Sequence, residues 1–249
     1  MSLIFLCLCG LQSLILAQKS PKLSEILPLD SQIVHKTLPN GLSYYIYKNA
    51  KPENNCQIRL LVKAGSLQEE NNEQGVAHFV EHMAFNGTKN FPKRKIIEEL
   101  ELMGNKFGAD INASTYFDRT VYMLEVPSKT NEKIDKGLQI ISDWAFNISF
   151  DAEEVEKEKG VVLAERRGRK SASEQYQKQM TALAMNNSRH TERYPIGDSL
   201  TIFNATPALL QNFYRTWYRP NLMSVIVVGD FERQRKNFFC LRLSQSPNF

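Results

Sequence analysis

The pattern of apolar and polar positions divides the chain into short strands and longer helices. Leu42 to Lys48 alternates weakly and is rich in tyrosine and isoleucine, which predicts a strand. Gln57 to Ala64 sets Ile58, Leu60 and Val62 against Arg59, Leu61 and Lys63, a second strand with an apolar side. Lys51 to Asn55 is a turn between them, so the two are expected to form a hairpin whose inner side packs on the next helix. Gln74 to Phe85 is that helix. Val76, Ala77, Phe79, Val80, Met83, Ala84 and Phe85 are apolar or small around its circumference, which predicts burial. Asn86-Gly87-Thr88 ends it. Pro92 opens a second helix through Met103, with Ile96, Ile97, Leu100 and Met103 as its inner stripe.

Phe107 to Thr115 and Arg119 to Val126 predict two further strands, broken at Tyr116-Phe117-Asp118. The small residues Asn112-Ala113-Ser114-Thr115 would let another backbone approach the first of them. Asn131 to Ile148 is a helix with Ile134, Leu138, Ile141, Ala145 and Ile148 on one face. Phe150 to Arg169 is an acidic helix capped by Asp151. Gly160 inside it costs about 1 kcal/mol against alanine, so close packing against a neighbour is expected there. Ser173 to Asn187 is helical, and Glu192 to Ser199 is a loop containing Tyr194-Pro195-Ile196-Gly197. Thr206 and Pro207 open a helix to Tyr218. Leu222 to Gly229 is nearly all apolar and predicts a central strand. The order predicts an α+β fold of two layers, a mixed, largely antiparallel sheet packed against helices. No glycine-rich dinucleotide fingerprint is present.

Composition narrows the function classes. An apolar content of 42% can fill a core, which argues against disorder. The net charge is +4, and four cations against one acid follow Phe231, so residues 1–231 carry only +1. That is no nucleic-acid-binding stripe. Met1 to Ala17 holds no charge and is leucine-rich, reading as a signal peptide cleaved near Ala17, with a membrane anchor as the alternative. No later stretch is long enough to span a bilayer. Removal of the leader would leave only Cys56 and Cys240, too few for a disulfide framework. Residues 18–33 form an N-terminal leader and 34–231 the main domain. Residues 232–249 are basic and aromatic without periodicity, reading as an atypical tail, truncated or frame-shifted.

The chemistry lies in the buried helix. His78 and His82 are four apart and share a face, and Glu81 projects near both. This is the inverted zinc motif H-x-x-E-H. Two neutral imidazoles and a third protein ligand hold Zn²⁺, an open position takes water, and Glu81 serves as base. A hydrogen-bonded core histidine pair is the bland alternative. The third ligand is sought in the acidic helix, where Glu158 and Glu165 lie seven apart on one face. Glu165 follows the apolar run Val161-Val162-Leu163-Ala164 and is favoured as ligand, with Glu158 steadying a ring or the water. From spacing alone the two could be exchanged.

Several linked motifs carry a family resemblance. They are Leu38-Pro39-Asn40-Gly41-Leu42, Gly75 to Thr88, Gly108-Ala109-Asp110-Ile111-Asn112-Ala113, the Glu158 and Glu165 pair, and Tyr218-Arg219-Pro220-Asn221 with Val227-Val228-Gly229-Asp230. Together they resemble the N-terminal catalytic domain of the pitrilysin family of zinc peptidases, and most of all its secreted or periplasmic bacterial members. The resemblance implies zinc held by His78, His82 and Glu165, and a substrate strand at Asn112, Ala113 and Ser114. It also implies hydrolysis of peptides or small unfolded proteins, and a homologous C-terminal domain in the same or another chain. The alternative is a zinc-binding but inactive fragment or scaffold subunit that needs that separate domain.

Overall fold

The computed structural model describes residues 28–105, 108 and 111–231. The expected signal peptide, most of the leader, the tail after Phe231 and the Ala109-Asp110 part of one motif lie outside the described residues. The chain divides into two compact units, Met1–Ser31 and Gln32–Phe249. Residues 28–30 of the first have no regular secondary structure. Among the described residues, every strand and helix belongs to the second.

Among the described residues six strands form one sheet: β1 (Val34–Thr37), β2 (Ser43–Lys48), β3 (Asn55–Val62), β4 (Ile111–Thr115), β5 (Thr120–Pro127) and β6 (Met223–Gly229). Their order is β1-β2-β6-β3-β5-β4. Only the β2–β6 pair is parallel. The expected hairpin of β2 and β3 is therefore wrong, because β6 lies between them, its Val227 opposite Ile46 on one side and Ile58 on the other. The link from β2 to β3 passes the end of β6, where Asn49 N donates to Gly229 O (2.9 Å) and Asp230 N to Asn55 O (2.8 Å). A nearly all-apolar strand gains backbone partners on both sides there, whereas an edge position would leave one side unpaired. Its central position agrees with its composition.

One face of the sheet carries the core. Cys56, Ile58, Leu60 and Val62 of β3 are buried while Gln57 and Arg59 are exposed. Tyr122, Leu124 and Val126 of β5 and Val225 and Val227 of β6 continue that buried side. This is the alternation of a sheet covered on one side. The helix Asn131–Phe146 lies on it and approaches closely at Gly137, where a Cβ would meet Val126 Cγ1 at 3.0 Å and Ile58 Cδ1 at 3.3 Å.

The helices are α1 (Val76–Asn86), α2 (Lys95–Leu102), α3 (Asn131–Phe146), α4 (Ala152–Arg169), α5 (Ala172–Ala184), α6 (Ser199–Phe203) and α7 (Pro207–Trp217). The two-layer α+β prediction holds. Helix α1 is buried except at His82 and Asn86, which are half-buried. It is tied to α3 by Trp144 Nε1, which donates to Ala84 O (3.0 Å). Buried Asp143 of α3 holds the α1–α2 connection, accepting from Thr88 Oγ1 (2.6 Å) and Asn90 Nδ2 (2.7 Å). Asp151 caps α4 as expected, accepting from Glu153 N (3.0 Å) and Glu154 N (3.2 Å). Gly160 departs from expectation. It is exposed and a Cβ there would meet nothing within 4 Å, so no close neighbour explains it. Among the described residues no helix is long and apolar enough to cross a membrane.

The start of α1 is fixed from outside. Its N-cap, Gly75, has φ +99° and offers no side chain. Buried Glu69 supplies the acceptor instead, taking the Ala77 N–H (2.9 Å), and burial pushes its carboxyl up to about 8. Arg193 Nε donates to Glu69 O (3.0 Å) and brings in the Tyr194-Pro195-Ile196-Gly197 loop. Gly197 sits at φ +72°, and a Cβ there would lie 2.2 Å from Gly75 Cα. Gly197→Ala is expected to destabilise the domain by about 3 kcal/mol or more, from left-handed strain plus overpacking. Urea denaturation followed by circular dichroism checks this, and an unchanged midpoint would be the contrary result.

Candidate active site

Helices α1 and α4 pack together so that their polar residues meet across an open cleft of about 1240 Å³. Helical spacing puts His78 and His82 on one face of α1, their rings edge to face with centroids 4.6 Å apart. From α4, Glu165 Oε2 approaches His82 Nε2 at 3.2 Å and His78 Nε2 at 3.7 Å. One ligand atom from each of the three lies within 4.8 Å of the other two. Glu158, two turns earlier, meets the other nitrogen of the second ring, with His82 Nδ1 donating to its Oε1 at 2.7 Å. Asn86 Nδ2 donates to its second oxygen at 2.5 Å. Glu165 thus faces both Nε2 atoms, and Glu158 sits behind His82.

The electrostatics fit a cation site. Burial pulls the His78 imidazole down to about 3, which keeps it neutral with a lone pair to offer. Its Nδ1 is buried without a hydrogen-bond partner among the described residues. For His82, burial opposes the charge, but hydrogen bonds to Glu158 and Glu165 outweigh it and raise the ring to about 9. The hydrogen bond from His82 holds Glu165 down at about 2, against burial and with help from His78 and Arg169. Tetrahedral zinc with bonds of 2.0–2.1 Å sets its ligands roughly 3.3–3.5 Å apart. The 3.2 and 3.7 Å separations bracket that span. The donor set of two imidazoles and a carboxylate suits the same ion.

Glu81 lies beside this group, only 7% exposed, and lines the cleft. Burial raises its carboxyl above the usual range, and the Thr115 hydroxyl donates to Oε2. Thr115 belongs to β4, so the base and the edge strand are fastened together. Asn112, Ala113 and Ser114 line the cleft beside it, on a strand whose sole neighbour in the sheet, among the described residues, is β5. The Asn112 carboxamide accepts the Ala113 N–H (2.8 Å).

Sequence reasoning missed four contributors. Thr115 was read only as one of the small residues of the strand, not as the partner of Glu81. Arg169, which donates to Glu165 Oε1, is four residues beyond it on α4, a readable i,i+4 pair. Pro195 and Ile196 line the cleft, brought there by contacts remote in sequence. Val161, which opens the apolar run before Glu165, is 52% exposed and lines the cleft, whereas Val162 is buried. A second acidic group, Asp151 with Glu153 and Glu154, also comes together. It is engaged otherwise: Asp151 caps α4, and Glu153 and Glu154 pair with Lys157.

The chain is similar to known proteins. Residues 44–196 match the sequence profile described as Insulinase (Peptidase family M16), and 204–236 that of the M16 inactive domain. The chain is 43% identical to the probable zinc protease PqqL of Haemophilus influenzae over 209 residues, 84% of this chain and 23% of that protein. It is 41% identical to the probable zinc protease PqqL of Escherichia coli over 234 residues, 93% of this chain and 25% of that protein. The chain thus spans about a quarter of the length of these curated relatives. The crystal structure of the first half of the periplasmic protease PqqL from Escherichia coli matches with a TM-score of 0.85 at 41% identity, covering 89% of this chain and 47% of that one. The chain belongs to the insulinase family of peptidases, family M16, whose relatives here are named zinc proteases.

Proposed function

We propose that the chain is the catalytic part of a zinc-dependent endopeptidase acting on peptides or small unfolded proteins. The observation that carries this is the convergence of His78, His82 and Glu165 on one point of a cleft, with the buried carboxyl of Glu81 beside it. His78 and His82 through Nε2, and Glu165 through its carboxylate, are the residues to hold the ion. When bound, the ion supplies Lewis-acid chemistry, polarising a carbonyl and making water more acidic.

The remaining steps belong to the chain. Glu158 holds the proton on His82 Nδ1, which leaves the Nε2 lone pair free and the ring oriented. An extended substrate lies along the free edge of β4, at Asn112, Ala113 and Ser114, and its backbone displaces the Asn112 side chain from the Ala113 N–H. Glu81, steadied by Thr115, takes a proton from water as the water oxygen bonds to the carbonyl carbon. The same carboxyl passes that proton to the amide nitrogen, and the C–N bond breaks to give an acid and an amine. A carboxyl raised by burial suits both directions of transfer.

A homologous C-terminal domain, in the same or another chain, is the proposed partner that closes the cleft. The match of 204–236 to the M16 inactive domain supports it. Location in the periplasm or outside the cell is proposed from the uncharged apolar stretch Met1–Ala17 and from the periplasmic relative. The test is hydrolysis of an internally quenched peptide by the chain, alone and with the homologous half of a relative added. Hydrolysis is expected to fall to background with chelator and to return with zinc. Hydrolysis that persists in chelator overturns metal dependence. Zinc uptake without hydrolysis in either mixture overturns the peptidase reading in favour of a zinc-binding scaffold.

A further inference from the structure

The two walls of the cleft differ in how their charges are used. On the α4 wall every cleft-lining carboxylate is engaged: Glu154 with Lys157 (3.2 Å), Glu158 with His82 and Asn86, and Glu165 with His82 and Arg169. The opposite wall, where the α1–α2 connection enters α2, carries Lys93, Arg94 and Lys95 in succession. All three are exposed, and all three line the cleft that holds His78, His82 and Glu165. Among the described residues none of the three makes an ion pair or a side-chain hydrogen bond. The only acid lining the cleft from α2 is Glu98.

This wall is built into the fold. Phe91 and Ile96, on either side of the three cations, are buried in the core. Asp143 grips Thr88 and Asn90 just before them. Gly87 packs so closely that a Cβ would lie 2.9 Å from Lys93 N. The backbone at 87–96 is thus fixed by packing, and three charged side chains project from a fixed base into a concave space. This wall is locally basic, although the cleft as a whole also carries carboxylates from α1, α2 and α4, and a locally basic wall attracts groups of the other sign.

We infer that this basic wall selects substrates whose extended segment carries aspartate or glutamate side chains, received by Lys93, Arg94 and Lys95. The inference rests on the peptidase reading and adds a substrate class to it. An acidic side chain entering the cleft meets cations held in no close ion pair, although Lys93 and Arg94 already attract Glu153 and Glu158 of α4 across the cleft, while a basic one meets repulsion. One exposed charge pair is worth about two- to fivefold in affinity, so three acting together give roughly tenfold or more. The preference weakens with salt, because the wall is solvated.

The test is calorimetric titration of the zinc-loaded chain carrying Glu81→Gln, which prevents turnover, with three peptides of one length. They differ only at three central positions: acidic, neutral amide or basic. The acidic peptide is expected to bind about tenfold more tightly than the neutral one at about 50 mM salt, and the difference to shrink to about twofold at about 500 mM. The triple change Lys93→Gln, Arg94→Gln, Lys95→Gln is expected to bring the acidic peptide to the neutral level and leave the neutral peptide within about twofold. Equal affinity for acidic and neutral peptides overturns the acidic preference and leaves the peptidase reading standing. An acidic preference untouched by the triple change overturns the assignment to this wall. Failure of all three peptides to bind overturns both.

Discussion

Glu81→Gln is expected to leave zinc bound and to reduce turnover by at least about 10²-fold, up to about 10⁴-fold. The amide keeps the size of the carboxylate and can still accept the Thr115 hydroxyl, so the link between α1 and β4 survives. What it loses is the ability to take up and return a proton. The substrate strand is unaffected, so the loss should fall on kcat with KM little changed. Steady-state kinetics together with zinc content check this. Full turnover by the variant would show that Glu81 is not the base, and loss of zinc would place it among the metal's supports.

His82→Ala is expected to weaken zinc binding by more than the 10- to 100-fold that loss of an outer partner costs, and activity should disappear with the metal. Glu158→Ala should stay within that smaller range, because Glu158 touches only the Nδ1 side of the ring. The contrast separates a ligand from the residue that orients it. A pH signature accompanies it. In the chelated chain His78, at about 3, is already neutral, and Glu165, at about 2, is already ionised. His82, at about 9, is protonated. Zinc uptake near neutral pH therefore displaces a proton from His82. Affinity should rise about tenfold per pH unit as pH increases toward 9 and then level off. Competition with a zinc-sensitive dye between about pH 6 and pH 8 reads the slope, and a flat profile would contradict the protonated His82.

Much of the site was legible because it is local. His78, Glu81 and His82 occupy one helix, and a period of 3.6 residues fixes which of them share a face. The acidic helix was legible for the same reason. Its two carboxylates were harder to tell apart, since a spacing of seven puts both on one side. Only the depth at which α4 crosses α1 decides which one faces Nε2. The neighbours of β2 and β3 were not legible, because alternation tells a strand's inner side and says nothing of its partners. β6, joining from more than 150 residues downstream in sequence, took the place between them. Gly160 shows a rule applied too far, since a helix glycine need not mark close packing. Gly197 shows the reverse: its need for space comes from Gly75, which no window of sequence contains.

The most direct measurement is the metal content and coordination of the purified chain at micromolar zinc, by elemental analysis and X-ray absorption. One zinc per chain, bound by two imidazole nitrogens and carboxylate oxygen, is the expected result, with the zinc content falling toward zero in His82→Ala. A folded chain that takes up no zinc, or that binds it undiminished without His78 and His82, would contradict the assignment.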